Sequence, residues 1–149
     1  MKKTLSLLSI FISASCLAQS FINPLIIPPA LTGTNFTLNF APSTNQFYPT
    51  YNTNTSGVNG SYLGPTLILN NGDSVDITVV NNLPDTTTCH WHGLHVPAIY
   101  DGTPHNEIPP GATWDTHFRI KNYAATYWYH PHLHMKTQNQ VTAGLAGMI

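Results

Sequence analysis

Two His-x-His motifs, His90-Trp91-His92 and His130-Pro131-His132, stand about forty residues apart and constrain the chain more than any other feature. On a β-strand, residues i and i+2 project from one face, so each motif presents two imidazoles to the same side. One such pair can hold a single metal ion, and two facing pairs can line a site for several. Neutral imidazole suits copper and zinc. All eight histidines lie between His90 and His134, and charged residues are only 7% of the chain, so a solvated charge run does not explain the histidine-rich stretch.

The surroundings read as short strands separated by turn signals. Phe36, Leu38 and Phe40 alternate with polar neighbours over Asn35–Phe40. Pro65–Leu69 reads as a strand, Asn70-Asn71-Gly72-Asp73 as a tight turn and Ser74–Val80 as the returning strand. Thr86–His92, Thr113–Ile120 and Ala125–His130 are further strands, and Leu145–Ile149 opens another. In Thr113–Ile120, Trp114, Thr116, Phe118 and Ile120 share one face, with Asp115, His117 and Arg119 on the other. Ser43–Gln46 and Asn52–Gly60 are polar and Gly/Asn-rich and read as loops or hairpin turns. Gly93–Gly111, with four prolines, is a loop long enough to suggest a functional role. Helical periodicity is confined to one turn around Thr137–Thr142. This pattern predicts an all-β fold, a Greek-key β-sandwich.

At the N-terminus, Met1-Lys2-Lys3, an apolar run over Leu5–Ile12 and the small-residue region Ser13–Ala18 form the pattern of a secretory signal, with cleavage expected after Ala18. The apolar run is too short to span a membrane, so no transmembrane segment is expected. Lipidation of Cys16 is the weaker alternative. The chain is thus expected to be exported, to the periplasm or beyond it. Residues 19–149 have the size of one domain. They hold three basic residues, Arg119, Lys121 and Lys136, against six acids, which excludes the basic footprint of a nucleic-acid binder. Cys89 is the one cysteine after the signal, so no internal disulfide is available. It adjoins His90 but points to the opposite strand face, and reads as a small buried hydrophobe rather than a blue-copper ligand.

Several motifs together resemble a known family. His90-Trp91-His92-Gly93-Leu94, Asp101-Gly102, Ile108-Pro109-Pro110-Gly111, Ala124-Ala125-Thr126-Tyr127-Trp128-Tyr129-His130-Pro131-His132 and Gly144-Leu145-Ala146-Gly147 follow one another as in the N-terminal cupredoxin domain of multicopper oxidases. Gly64-Pro65-Thr66-Leu67 and Asn71-Gly72-Asp73 are similar to that domain as well. The resemblance covers residues 60–149 closely and is nearest to the bacterial cuprous-oxidase, spore-coat laccase and bilirubin-oxidase branch. It implies a sandwich of the cupredoxin type over residues 19–149, as the first domain of an enzyme that couples one-electron oxidation of a small reducing substrate to four-electron reduction of dioxygen to water. In that family, four His-x-His pairs hold a trinuclear copper cluster between the first and last domains. By position, the resemblance implies His90 as a ligand of the type 2 copper, His92 and His130 of one type 3 copper, and His132 of the other. Trp91 would face the core, and Gly93 would permit a turn straight after the ligands. Asp101 matches the family's acidic residue beside the cluster, a proton relay for a reaction that consumes protons. Its alternative is a loop carboxylate stabilising the turn at Gly102. His95, His105 and His117 match no ligand position, and His134 is either a support to the ligands or a surface imidazole.

Two further His-x-His pairs and the cysteine-containing segment of the type 1 copper have no counterpart here. The sequence also stops at Gly147-Met148-Ile149, within a strand, so the fold is expected to be truncated there, with the remaining cupredoxin domains in a longer polypeptide. This chain alone is then expected to be inactive as an oxidase. Two other classes stay open. One is an exported, non-enzymatic copper-binding cupredoxin module. The other is a metal-free structural relative like those that act in cell division, against which the four ligand positions count. A zinc site is the alternative metal reading.

Overall fold

The computed structural model describes residues 25–149. The expected signal sequence, residues 1–18, lies outside the described residues. Nine strands, one 3-10 turn and one short helix follow in order: β1 Ala30–Thr32, β2 Asn35–Tyr48, β3 Tyr51–Val58, β4 Thr66–Ile68, β5 Ser74–Asn81, β6 His90–His92, the 3-10 turn Ala98–Tyr100, β7 Thr113–Arg119, β8 Trp128–His130, α1 Thr137–Ala143 and β9 Gly147–Met148. One sheet has the order β3-β2-β5-β7, a second β6-β8-β9, and β1 and β4 form a parallel pair. Gly64 N–H donates to the Ala146 carbonyl at 2.8 Å, which ties the segment before β4 to the segment before β9. The result is the expected all-β sandwich.

Alternation explains the core. Phe36, Leu38 and Phe40 of β2, Val75, Ile77 and Val79 of β5, and Phe118 of β7 are buried on the inner face of the four-stranded sheet. The opposite layer contributes Leu67, Trp91, Tyr129 and Leu145. Trp91 joins the two layers: its ring stacks with Trp114 at 6.4 Å and meets Phe118 at 5.9 Å. Complete burial of that indole removes on the order of 200 Å² from water, a large share of what holds the histidine-bearing strand against the other sheet. The residue between the two histidines of the first motif is thus an anchor for both.

Three expectations about elements need correction. Ser43–Gln46 and Asn52–Gly60 do not form loops: most of these residues belong to β2 and β3, which pair from Phe40↔Val58 to Asn45↔Thr53 and turn at Pro49-Thr50. This ribbon extends past β5, whose pairing with β2 ends at Phe40↔Asn81. Most of its outer part is exposed or half-exposed, so no inward apolar row marks it. Second, β5 does not return beside β4. The 70–73 turn carries the chain from the β1-β4 pair to the larger sheet, where β5 lies between β2 and β7. Third, the strands expected over Thr86–His92 and Ala125–His130 shorten to His90–His92 and Trp128–His130, with Thr87 making an isolated bridge to Ile108. Both short strands consist of the motif and its immediate neighbours.

Candidate metal centre

Strands β6 and β8 run antiparallel with His90 opposite His130, Trp91 opposite Tyr129 and His92 opposite Trp128. This register brings both motifs to one place. Ring centroids lie 5.6 Å apart for His90–His92, 5.5 Å for His90–His130, 5.3 Å for His90–His132 and 5.3 Å for His92–His130. His90, His92 and His130 each offer a ligand atom within 4.8 Å of the others. His132 lies beyond the end of β8. Its backbone N–H donates to Thr88 Oγ1 at 2.7 Å, so the residue two before His90 fixes the second motif to the first.

Hydrogen bonds set the orientation and tautomer of two rings. His90 Nδ1 lies 2.7 Å from the backbone carbonyl of Asp101, and His130 Nδ1 lies 2.8 Å from that of Pro131. A carbonyl only accepts, so each Nδ1 carries the proton and each Nε2 is left unprotonated as an acceptor, an assignment made from the hydrogen-bond network. His92 Nδ1 is 3.1 Å from His130 Nε2 and, in the absence of metal, donates to it. Two nitrogens at that spacing can both bind one ion at about 2.0–2.1 Å. For this the His92 proton must move to Nε2, which costs no net charge. The indole of Trp128 stacks on His130 at 3.9 Å and on His92 at 5.1 Å, restricting both rings.

Burial of His130, 5% exposed, pushes its pKa down to about 4. The Pro131 carbonyl opposes this, and the neighbouring imidazoles of His90, His92 and His132 add to it. The ring is therefore neutral and ready as a ligand at any physiological pH. His92 and His132 are exposed, so the cluster opens on the surface of the domain. A donor set made wholly of imidazole nitrogens fits copper, with zinc as its nearest competitor.

Asp101 sits at the rim. Its carboxylate Oδ2 is 3.6 Å from His90 Nδ1, farther than its own carbonyl, and its side chain is 26% exposed. Gly93 has φ +91 and turns the chain directly after His92, as expected. The Cys89 thiol is fully buried, and burial pushes its pKa up, in keeping with a packing role. His95, His105 and His134 are exposed. His117 is exposed too, but its Nδ1 bonds Asp76 across the sheet at 2.7 Å rather than standing free beside Asp115 and Arg119.

Three supporting residues escape a reading of the sequence. Thr88 and Trp128 are two of them. The other is Asn122, whose Nδ2 donates to the Gly93 carbonyl at 2.9 Å while its Oδ1 accepts from His95 N–H at 2.8 Å, clamping the segment that leaves His92. Asn122 acts at a sequence distance of 29 residues, and only strand register reveals it. Trp128 carried a usable signal, being at i−2 from His130 on the same face.

A two-layer β-sandwich with a cluster of imidazoles at one end of its smaller sheet defines a cupredoxin-type domain. The family model described as multicopper oxidase matches residues 39–149, and the chain belongs to that family. It is 45% identical over 115 residues to multicopper oxidase mco of Staphylococcus aureus, covering 77% of this chain and 26% of that protein. Cell division protein FtsP of Glaesserella parasuis is 35% identical over 127 residues, covering 83% of this chain and 27% of the relative. Among solved structures, the laccase-like multicopper oxidase CueO of Ochrobactrum sp. superposes with a TM-score of 0.81 at 39% identity, covering 84% of this chain and 29% of that one. The chain thus spans about a quarter of the length of the curated relatives it matches.

Proposed function

We propose that this chain is the first cupredoxin domain, residues 19–149, of an exported multicopper oxidase, and that it supplies half of the ligands of a trinuclear copper cluster. The observation that carries this reading is the convergence of four imidazoles from β6 and β8, three of them with ligand atoms within 4.8 Å. His90 is assigned to the type 2 copper, His92 and His130 to one type 3 copper, and His132 to the other. The 3.1 Å spacing between His92 Nδ1 and His130 Nε2 supports the shared ion. Exposure of His92 and His132 supports the remaining ligands coming from another domain. When bound, copper supplies the one-electron redox chemistry that couples oxidation of a reducing substrate to reduction of dioxygen to water.

The residues of this chain then have defined tasks. Asp101 and Pro131 hold His90 and His130 through backbone carbonyls, so their Nε2 lone pairs face the site before metal arrives. Trp128 limits rotation of the His92 and His130 rings. Asp101 Oδ2, between solvent and His90, holds and passes a proton toward the site, because water formation consumes protons that the imidazoles cannot give up. Retention of four ligand positions weighs against a metal-free role like that of a structural relative.

Equilibrium dialysis of the metal-free full chain against copper, followed by metal analysis, tests the proposal. Copper retained by the chain and lost in the His92→Ala/His130→Ala double variant is the expected result. Copper retained equally by that variant, or zinc retained in preference to copper from an equimolar mixture, overturns the ligand assignment. Oxygen-electrode traces with cuprous ion and with a phenol should be flat for the chain alone. Sustained oxygen uptake contradicts the assignment of the chain as half a cluster. Copper binding without any oxidase activity on joining the remaining domains favours the non-enzymatic copper module.

A further inference from the structure

The described residues hold three Lys or Arg side chains, and their distribution is uneven. Lys136 is spent on an ion pair with Asp85. The other two, Arg119 and Lys121, line one open cleft of about 570 Å³ together with His95, His117 and Ser74, with Val96 and Pro97 as its apolar wall. Neither cation forms a salt bridge among the described residues, where the Lys or Arg to carboxylate pair is Lys136–Asp85. The nearby carboxylates make their hydrogen bonds to other groups: Asp76 to His117 at the margin of the cleft, Asp115 to the Thr78 hydroxyl, Asp73 to the Asn70 amide. No acidic side chain lines the cleft.

Strand geometry makes the arrangement. His117 and Arg119 share the outer face of β7, and Lys121, two residues beyond the end of the strand, lines the same cleft. Ser74 lies opposite Arg119 in the register of β5 with β7. Arg119 Nε donates to the Gly72 carbonyl at 3.0 Å, which fixes the plane of the guanidinium and leaves its two terminal nitrogens free. The wall bearing His95 is held by the Asn122 side chain through the His95 N–H. Two of the three Lys or Arg side chains among the described residues thus share one cleft, and neither is in a salt bridge. A fixed guanidinium fork beside a flexible ammonium and a hydroxyl is a donor set for an oxyanion.

We infer that this cleft binds a small oxyanion, a carboxylate, phosphate or sulfate group, through Arg119, Lys121 and Ser74, with His95 and His117 at its margin. The site does not depend on the metal reading. Val96 and Pro97 would accommodate the apolar body of an aromatic carboxylate, so the two sources of the same chemistry are separable with inorganic phosphate and benzoate as probes.

The test is a ¹H–¹⁵N NMR titration of the metal-free full chain with each probe at constant ionic strength. Saturable shifts are expected at Ser74, His95, Arg119 and Lys121, with a dissociation constant of about 10 mM or tighter for at least one probe. Benzoate binding the tighter points to an aromatic carboxylate, and phosphate binding the tighter to an inorganic oxyanion. Arg119→Gln and Lys121→Gln, both at exposed positions, should keep the fold's spectrum and weaken binding about tenfold each. Shifts that instead centre on His90 and His130, shifts unaltered in an Arg119→Gln/Lys121→Gln double variant, or linear unsaturated shifts with both probes overturn the site.

Discussion

Thr88 offers the sharpest test of how the two histidine motifs are held together. Its side chain is fully buried, and Oγ1 accepts the backbone N–H of His132 at 2.7 Å across 44 positions of sequence. Thr88→Val keeps the shape and the β-branching but removes the acceptor, leaving a part-buried N–H without its partner, at a cost of about 1–3 kcal/mol. Thr88→Ser keeps the acceptor and removes one buried methyl group, worth about 0.8 kcal/mol. A packing role would reverse the order, since valine preserves the volume that serine loses. Urea unfolding of the metal-free chain separates the two cases. With a slope of about 1–3 kcal/mol per molar urea, the valine variant should lower the midpoint by roughly 1 M and the serine variant by about half as much. Copper retention gives a second readout: it should fall in Thr88→Val, where His132 loses its tether, and persist in Thr88→Ser. A valine variant as stable as serine or more so would refute the argument that this hydrogen bond joins the motifs.

The pH dependence of the metal-free chain follows from His130. Burial lowers its pKa to about 4 against about 6.5 unfolded, so the unfolded state binds the proton more tightly. Its contribution is complete above pH 6.5 and is lost as the pH falls toward 4, by about 3 kcal/mol in all. Urea midpoints from pH 7.5 to 4 should trace that loss, and His130→Gln should flatten it. Asp101→Asn should leave copper retention within about twofold, because the backbone carbonyl rather than the carboxylate holds His90; loss of copper would place the carboxylate among the ligands. Gly102 and Gly111 have φ of +72 and +76, but a Cβ on Gly102 would lie 1.8 Å from the Cys89 carbonyl oxygen while one on Gly111 meets open space. Gly111→Ala should therefore cost only the backbone strain, about 1–2 kcal/mol, and Gly102→Ala clearly more, as read by thermal unfolding. Equal costs would remove the steric argument.

Legibility in the sequence followed burial. Phe36, Leu38 and Phe40, and the row from Trp114 to Ile120, face a core on one side, so their alternation identified strands and faces alike. The outer parts of β2 and β3 carry no such row because their residues are mostly polar and at best half-buried, and polar residues in a largely solvated ribbon are indistinguishable from a loop. The destination of the 70–73 turn was equally hidden. A tight turn reports that the chain reverses, not which sheet the next strand joins, and β5 is claimed by β2 and β7 through its inner face. At the metal centre, the identity of the imidazoles was visible and their support was not. In the sequence Asp101 stands out for its carboxylate, whereas its carbonyl makes the shorter contact with His90. Any residue has a carbonyl, so no side-chain pattern could have shown it.

Reliance on backbone carbonyls shapes how the centre is built. A carboxylate bonded to an imidazole N–H raises the basicity of the ring and favours its protonated form, which competes with a metal ion for the same lone pair. A neutral carbonyl fixes the tautomer and the ring plane with a weaker pull of that kind. His90 and His130 both rely on carbonyls, and His130 keeps its lone pair down to about pH 4 despite the Pro131 bond. The position of each carbonyl is set by backbone: by the tight approach of Gly102 to Cys89 in one case, and by the Pro131 link within the motif in the other. Orientation of the ligands is thus a property of chain path more than of charged neighbours, in keeping with a sequence only 7% charged. The consequence is an ordering that a carboxylate-tuned site would invert: adding one methyl group at Gly102 should disturb copper retention more than removing the charge at Asp101.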